Sequence, residues 1–110
     1  MNITEQIQDD ITIFKIEGRV DTAGAVDLDL ALHTAVSEGK HKMVLELSEL
    51  KYISSAGLRT LADVLTQNQN AGGDLKLAAV NPKILRILQI IGFDQFFEMY
   101  DTLEDALASF

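Results

Sequence analysis

Two adjacent hydroxyl side chains, Ser54 and Ser55, precede the small residues Ala56 and Gly57 near the middle of the chain. Apolar residues then recur with the spacing of one face of a helix, at Leu58, Leu61, Ala62 and Leu65. A serine at the start of a helix can cap it by accepting a backbone N–H, which stabilises the helix by about 1 kcal/mol. It can also carry a phosphoryl group, because the free N–H groups at a helix N-terminus favour an anion. The spacing leaves both interpretations open.

A carboxylate, Asp21, ends the segment GRVD at residues 18–21, which follows an apolar stretch. Asp21 can cap a helix that begins near Thr22. It can equally contact the Ser55 hydroxyl, provided that the fold brings these two distant segments together. Both roles are compatible with the sequence.

The hydrophobic pattern predicts an α/β fold of one domain, residues 1–110, with the element order ββαβαβαβα. The predicted strands cover residues 3–7, 11–16, 43–47, 74–80 and 96–100, with a turn at Asp9-Asp10 between the first two. The predicted helices run from about 22 to 39, from the SSAG segment to Gly72-Gly73, over 82–91, and from about 103 onward.

This order predicts a mixed, mostly parallel sheet in which only the first strand is antiparallel. In such sheets the loops that follow the parallel strands meet at one edge, where ligands and partners bind. The second strand leads to Asp21, and the third is followed by the loop that holds Ser54 and Ser55. We therefore expect Asp21 and the two serines to be neighbours.

The composition argues against several functional classes. The chain has 9 basic and 17 acidic residues, a formal net charge of −8, which disfavours unaided binding to nucleic acid or to an anionic membrane. It has no cysteine, so disulfides and thiolate chemistry are excluded. No signal peptide, membrane-spanning stretch, metal-ligand spacing or nucleotide-binding glycine motif is recognisable. These features predict an acidic, soluble, cytoplasmic protein without metal or cofactor.

The chain resembles the STAS-domain family of bacterial anti-sigma factor antagonists over nearly its full length. The resemblance rests on the element order and on three segments, which are GRVD at 18–21, VLELSELKYISSAGLRTL at 44–61 and NPKILRILQIIGFDQFFEMYDT at 81–102. The second segment is the most specific, because it is similar to the strand, loop and phosphoacceptor helix of that family.

The resemblance implies a phosphorylation site at Ser55. In that family the modified residue is the serine two positions before the glycine of an Asp-Ser-Ser/Thr/Ala-Gly-Leu pattern. Ser54 stands where the pattern has Asp, which leaves two adjacent hydroxyls and makes Ser54 the alternative site. The predicted partner-binding residues are Asp21, Thr22, Ser54, Ser55, Ala56, Gly57 and Leu58.

The same resemblance implies a non-enzymatic partner switch. The unphosphorylated protein would bind a serine-kinase anti-sigma factor of the GHKL type and so free a sigma factor. The kinase would use Mg-ATP to phosphorylate Ser55 and release the antagonist, and a metal-dependent serine phosphatase would reset it. No direct contact with nucleic acid or membrane is implied.

Two other functions fit parts of the sequence. One is a STAS subunit of a larger assembly, such as a lipid-transport ATPase complex, in which no serine is phosphorylated. The other is a small hydrolase or nucleotidase that uses Ser55 with Asp21. The second lacks a plausible base, because neither His33 nor His41 falls in a loop at the predicted edge.

A glycine in a helix lowers its stability by about 1 kcal/mol relative to alanine, which suggests that Gly57 has a packing or binding role. Ala56 and Gly57 either let the helix lie close to the sheet or leave room for a partner's backbone. The second interpretation predicts that Gly57→Leu melts near the wild-type temperature yet binds the partner weakly.

Overall fold

A computed structural model describes all 110 residues and contains a six-stranded mixed sheet and four α-helices. The strands are β1 (Asn2–Gln8), β2 (Ile11–Val20), β3 (Lys42–Glu46), β4 (Leu50–Ile53), β5 (Asp74–Ala78) and β6 (Met99–Tyr100). The helices are α1 (Thr22–Ser37), α2 (Ser55–Asn70), α3 (Pro82–Ile90) and α4 (Leu103–Ala108), with a 3-10 turn at Phe93–Gln95. The predicted α/β class is confirmed.

The sheet has the strand order β1-β2-β3-β5-β6, and β4 pairs with β2 off this path. Only β1 runs antiparallel to its neighbour, while β2, β3, β4, β5 and β6 form parallel pairs. The mixed, mostly parallel sheet predicted from the order of elements is therefore confirmed. The carboxyl ends of β2 and β4 lie side by side, with Val20 opposite Ile53.

The predicted order of elements was wrong at one point, because it omitted β4. β3 pairs with residues 12–15 of β2, and β4 pairs with residues 18–20 of the same strand after a register shift between Gly18 and Arg19. Gly18 has a φ of +88°, a left-handed conformation that a side chain disfavours. β4 is only four residues long, and its pairing partner is distant in sequence. The segment LKYI therefore carries no local signal that separates it from a loop.

The last predicted strand, 96–100, was too long. Gly92 ends α3 with a φ of +79°, and the chain then forms the 3-10 turn at Phe93–Gln95. Only Met99 and Tyr100 pair with β5. The aromatic-rich sequence FDQFFEMY favours a strand by propensity, but its position after the turn leaves only two residues beside the sheet.

The core is divided by the sheet into two layers. Phe14 and Ile16 of β2 pack in the large cluster that also contains the apolar faces of α1, α2 and α3. Ile11 and Ile13 of the same strand pack in a smaller cluster with Ala106 of α4. The alternation of side chains along β2 thus places α1, α2 and α3 on one face of the sheet and α4 on the other.

Helices α1 and α2 are joined by a hydrogen bond between side chains. The Thr60 hydroxyl on α2 donates to Asp29 Oδ1 on α1 over 2.9 Å, and Thr60 is only 4% exposed. A buried hydroxyl without an acceptor destabilises a protein by about 1–3 kcal/mol. This bond therefore links the middle of α1 to the second turn of α2.

Gly57 faces the sheet and not the solvent. A Cβ at this position would lie 2.8 Å from Ile53 Cγ1 and 3.0 Å from Val20 Cγ1. The first turn of α2 therefore lies closer to β2 and β4 than any larger residue would allow. The interpretation that Gly57 lets the helix approach the sheet is supported, and the expectation that Gly57→Leu keeps the wild-type melting temperature is wrong.

We predict that Gly57→Ala lowers the melting temperature. Overpacking a well-filled site costs about 1–3 kcal/mol, which exceeds the helix-propensity gain of about 1 kcal/mol. The net loss should be visible by thermal denaturation as a shift of several degrees. In an Ile53→Ala background the same substitution should cost less, because the nearest atoms are gone. A higher melting temperature for Gly57→Ala alone would contradict this packing.

A double-mutant cycle should measure the link between α1 and α2. We predict that Thr60→Val and Asp29→Ala are coupled by about 1 kcal/mol in urea unfolding, because each removes the same hydrogen bond. Thr60→Val keeps the shape of the side chain, so the coupling reports the bond and not a cavity. Fully additive losses would mean that the bond does not hold the helices.

Candidate functional site

The loops after β2 and β4 meet at the carboxyl edge of the sheet. The backbone N–H of Ser54 donates to the carbonyl of Val20 over 2.8 Å, which extends the pairing of the two strands by one residue. The Ser54 hydroxyl also lies 3.5 Å from the carbonyl oxygen of Asp21. The predicted proximity of Asp21 to the serine pair is therefore confirmed. Both α1 and α2 begin at this edge.

Asp21 is the N-cap of α1. Its Oδ1 accepts the backbone N–H of Gly24 over 2.8 Å, and Thr22 is the first helical residue. No hydrogen bond joins the Asp21 carboxylate to Ser55, so of the two roles left open by the sequence the structure contains the cap. Asp21 itself is exposed, so its charge also faces any molecule that approaches this edge.

Ser54 is the N-cap of α2. Its Oγ accepts a hydrogen bond from the backbone N–H of Gly57 over 3.2 Å, and its own backbone N–H donates to the carbonyl oxygen of Val20. The residue is half-buried. The hydroxyl of Ser54 thus has a structural role in starting the helix.

Ser55 is the first residue of α2, and its side chain is in a different position. It is exposed and makes no side-chain hydrogen bond within the protein. Its neighbour Ala56 is also exposed and adds little bulk. The Ser55 Oγ is therefore the one hydroxyl of the pair that is free to react with or contact another molecule.

Two of the predicted partner-binding residues do not face the solvent. Gly57 is buried against Ile53 and Val20, and Leu58 belongs to the core cluster between α2 and the sheet. Their contact with a partner stays a prediction, but the 3.6-residue period of α2 turns both residues toward the sheet in this structure. They support the exposed pair Ser55 and Ala56 from beneath.

A groove of about 430 Å³ lies between the N-terminal turns of α1 and α2, and we call it the α1–α2 groove. It is lined by Thr22, Ala25, Val26, Asp29, Ser55, Ala56, Arg59 and Thr60. Val26 is 67% exposed, so its side chain is accessible to a molecule that enters the groove. The groove thus combines the free Ser55 hydroxyl with an apolar wall and one charge of each sign.

Sequence reasoning did not identify Val26, Asp29 and Arg59 as site residues. Helical spacing contains the signal, since Val26 and Asp29 follow Thr22 by four and seven positions, and Arg59 follows Ser55 by four. What the sequence does not contain is the side-by-side packing of α1 and α2, which makes these two faces into one groove.

The chemistry available in the groove is limited. No base is hydrogen-bonded to Ser55, and the nearby His33 contacts Asp29, with 3.3 Å between Nε2 and Oδ1. No group of three or more His, Asp or Glu side chains could hold a metal ion. None of the helices is both long and apolar enough to cross a bilayer. The arrangement suits the binding of another molecule and the acceptance of a transferred group at Ser55.

Relatives and solved structures are similar to the chain over most of its length. The protein named "Putative anti-sigma factor antagonist BtrV" from Bordetella bronchiseptica is 34% identical over 110 residues, which cover 100% of this chain and 95% of the relative. The crystal structure of an anti-sigma factor antagonist from Mycobacterium paratuberculosis is 26% identical, with a TM-score of 0.88 over 98% of this chain and 92% of that one.

The fold is also that of a protein solved with a phosphoryl group attached. The Bacillus cell fate determinant SpoIIAA in its phosphorylated form is 15% identical and has a TM-score of 0.78, covering 98% of each chain. The sequence model of the STAS domain matches residues 2–106. The three segments that carried the resemblance lie within this match, and the protein belongs to the STAS domain family.

Proposed function

We propose that this protein is an anti-sigma factor antagonist that works as a non-enzymatic, phosphorylation-controlled partner switch. Unphosphorylated, it binds a serine-kinase anti-sigma factor of the GHKL type through the α1–α2 groove. The kinase then phosphorylates Ser55, which releases the antagonist, and a metal-dependent serine phosphatase resets it. The names of the BtrV and Mycobacterium relatives support the antagonist role. The similarity in fold to phosphorylated SpoIIAA is compatible with a phosphorylation switch.

One observation carries the choice of Ser55, namely the different use of the two adjacent hydroxyls. Ser54 Oγ accepts from the Gly57 N–H and caps α2, whereas Ser55 Oγ is exposed and has no partner within the protein. A kinase that modified Ser54 would have to break the cap, which costs about 1 kcal/mol. Modification of Ser55 leaves the start of the helix intact.

The transfer itself requires little of this protein. The Ser55 Oγ attacks the γ-phosphorus of Mg-ATP, the bond between that phosphorus and the ADP oxygen breaks, and the hydroxyl proton passes to a base of the kinase. This chain presents the hydroxyl on a rigid helical turn next to the small residue Ala56. Positioning of the acceptor is its contribution.

Electrostatics supports release after phosphorylation. A phosphoserine adds a charge of about −1.5 to −2 at neutral pH to a protein whose net charge is already −8. The carboxylates of Asp21 and Asp29 lie at the same edge. A surface on the partner that accepts the neutral hydroxyl in a close contact would meet both added bulk and added negative charge.

We predict that the cognate kinase and Mg-ATP add a single phosphate, which peptide mass spectrometry should locate at Ser55. Ser54→Ala is the matched control, because it removes the neighbouring hydroxyl and should still be modified. Ser55→Ala should remain unmodified. A phosphate found on Ser54, or no phosphate on either residue, would overturn the switch and leave a non-phosphorylated STAS subunit as the alternative.

Binding of the kinase should follow the charge at position 55. By titration calorimetry, Ser55→Ala should bind about as well as the wild type, Ser55→Asp more weakly, and the phosphoprotein most weakly. The order follows from the charge and number of acceptor oxygens that each group brings into the contact. Equal affinities for all four proteins would remove the physical basis of release.

The apolar wall of the groove can be tested separately from Ser55. We expect Val26→Glu to weaken kinase binding by about tenfold or more, with little change in the melting temperature. Leu30→Glu is the matched control, because Leu30 is 68% exposed on the same helix but does not line the groove. Equal effects of the two substitutions would place the contact elsewhere on α1.

A further inference from the structure

Arg59 lies one helical turn after Ser55 on α2, and both residues line the α1–α2 groove. Residues four apart in a helix occupy the same face. Helical side chains also lean toward the N-terminus of their helix, so the long side chain of Arg59 can reach the turn that holds Ser55.

Arg59 has no carboxylate partner. Most lysines of the protein are within ion-pair distance of an acidic side chain, namely Lys15, Lys40, Lys42, Lys51 and Lys76. Arg59 is the only cation among the residues that line the groove, and Asp29 is the only anion. The Oδ1 atom of Asp29 accepts the Thr60 hydroxyl and lies close to His33. The groove therefore holds one guanidinium that forms no ion pair with a carboxylate of this protein.

We propose that Arg59 receives the phosphoryl group of phosphorylated Ser55 as an intrahelical ion pair, an inference that rests on the proposed function. An anion four residues N-terminal to a cation is the favourable orientation on a helix. A guanidinium can bind two phosphate oxygens at once. Phosphorylation then has two effects on the groove. It adds a dianion, and it engages Arg59, the only cation in the groove that a partner's carboxylate could bind.

The pair can be measured without any kinase. Phosphoserine is incorporated at position 55 during translation, and its second ionisation is followed by phosphorus-31 NMR in low salt. Pairing with Arg59 favours the dianion, so the pKa of the phosphate should be about 0.3–0.7 lower than in the Arg59→Gln protein. The difference should shrink as salt is added.

Arg86→Gln is the matched control. Arg86 also lacks a carboxylate partner and is exposed, but it lies on α3 and does not line the groove. It removes the same charge, so it should leave the pKa of the phosphate nearly unchanged. Identical pKa values in the wild-type, Arg59→Gln and Arg86→Gln proteins would overturn the inference. So would equal shifts in the two variants, because these would report net charge and not a pair.

Binding of the kinase tests the second half of the inference. Arg59→Gln should weaken binding of the unphosphorylated protein, yet should change little once Ser55 is phosphorylated, because Arg59 is then already occupied. Additive losses would mean that the phosphate does not withdraw Arg59. Failure of the kinase to modify Ser55 would overturn the proposed function alone, since the NMR titration does not depend on it.

Discussion

The pairing of β4 with the last residues of β2 is the constraint on which the rest of the site depends. It ends in the hydrogen bond from the Ser54 N–H to the Val20 carbonyl, after which both chains leave the sheet and begin helices. Two helix N-termini are thereby fixed at one edge. The two helices pack together in the core cluster and are joined by the hydrogen bond of Thr60 to Asp29, and the groove is the space that remains between them.

At this edge, some residues stabilise the helix starts through hydrogen bonds and packing, and others face the solvent. Asp21 and Ser54 use their side chains to cap α1 and α2. Gly57 lets α2 lie against Ile53 and Val20, where a Cβ would collide. Asp21, Ser54 and Gly57 therefore provide the helix caps and the close packing at this edge. The Ser55 hydroxyl makes no hydrogen bond within the protein and is exposed to solvent.

The charge distribution places one cation, Arg59, and one anion, Asp29, in the groove. The protein is acidic overall, and five of its six lysines are within ion-pair distance of a carboxylate, whereas Arg59, the one cation that lines the groove, is not. A partner with an apolar segment against Val26 and a carboxylate near Arg59 would match the unmodified groove. A phosphoryl group on Ser55 would compete with that carboxylate within the protein itself, since the two anions require the same cation.

The sequence by itself determined the α/β class, the antiparallel first strand and the approximate starts of the first two helices, because strand alternation and apolar periodicity are local signals. The proximity of Asp21 to the serine pair followed from the rule that loops after parallel strands meet at one edge of a sheet. The sequence also indicated Ser55, through the resemblance of the SSAGL segment. It did not determine β4, whose four residues become a strand only beside β2. Nor did it show that Ser54 caps α2 while the Ser55 side chain is exposed, that Gly57 packs against the sheet, or that Val26 and Arg59 line one groove. Those features arise from the packing of α1 and α2 on the sheet, and contacts between residues distant in sequence decide that packing.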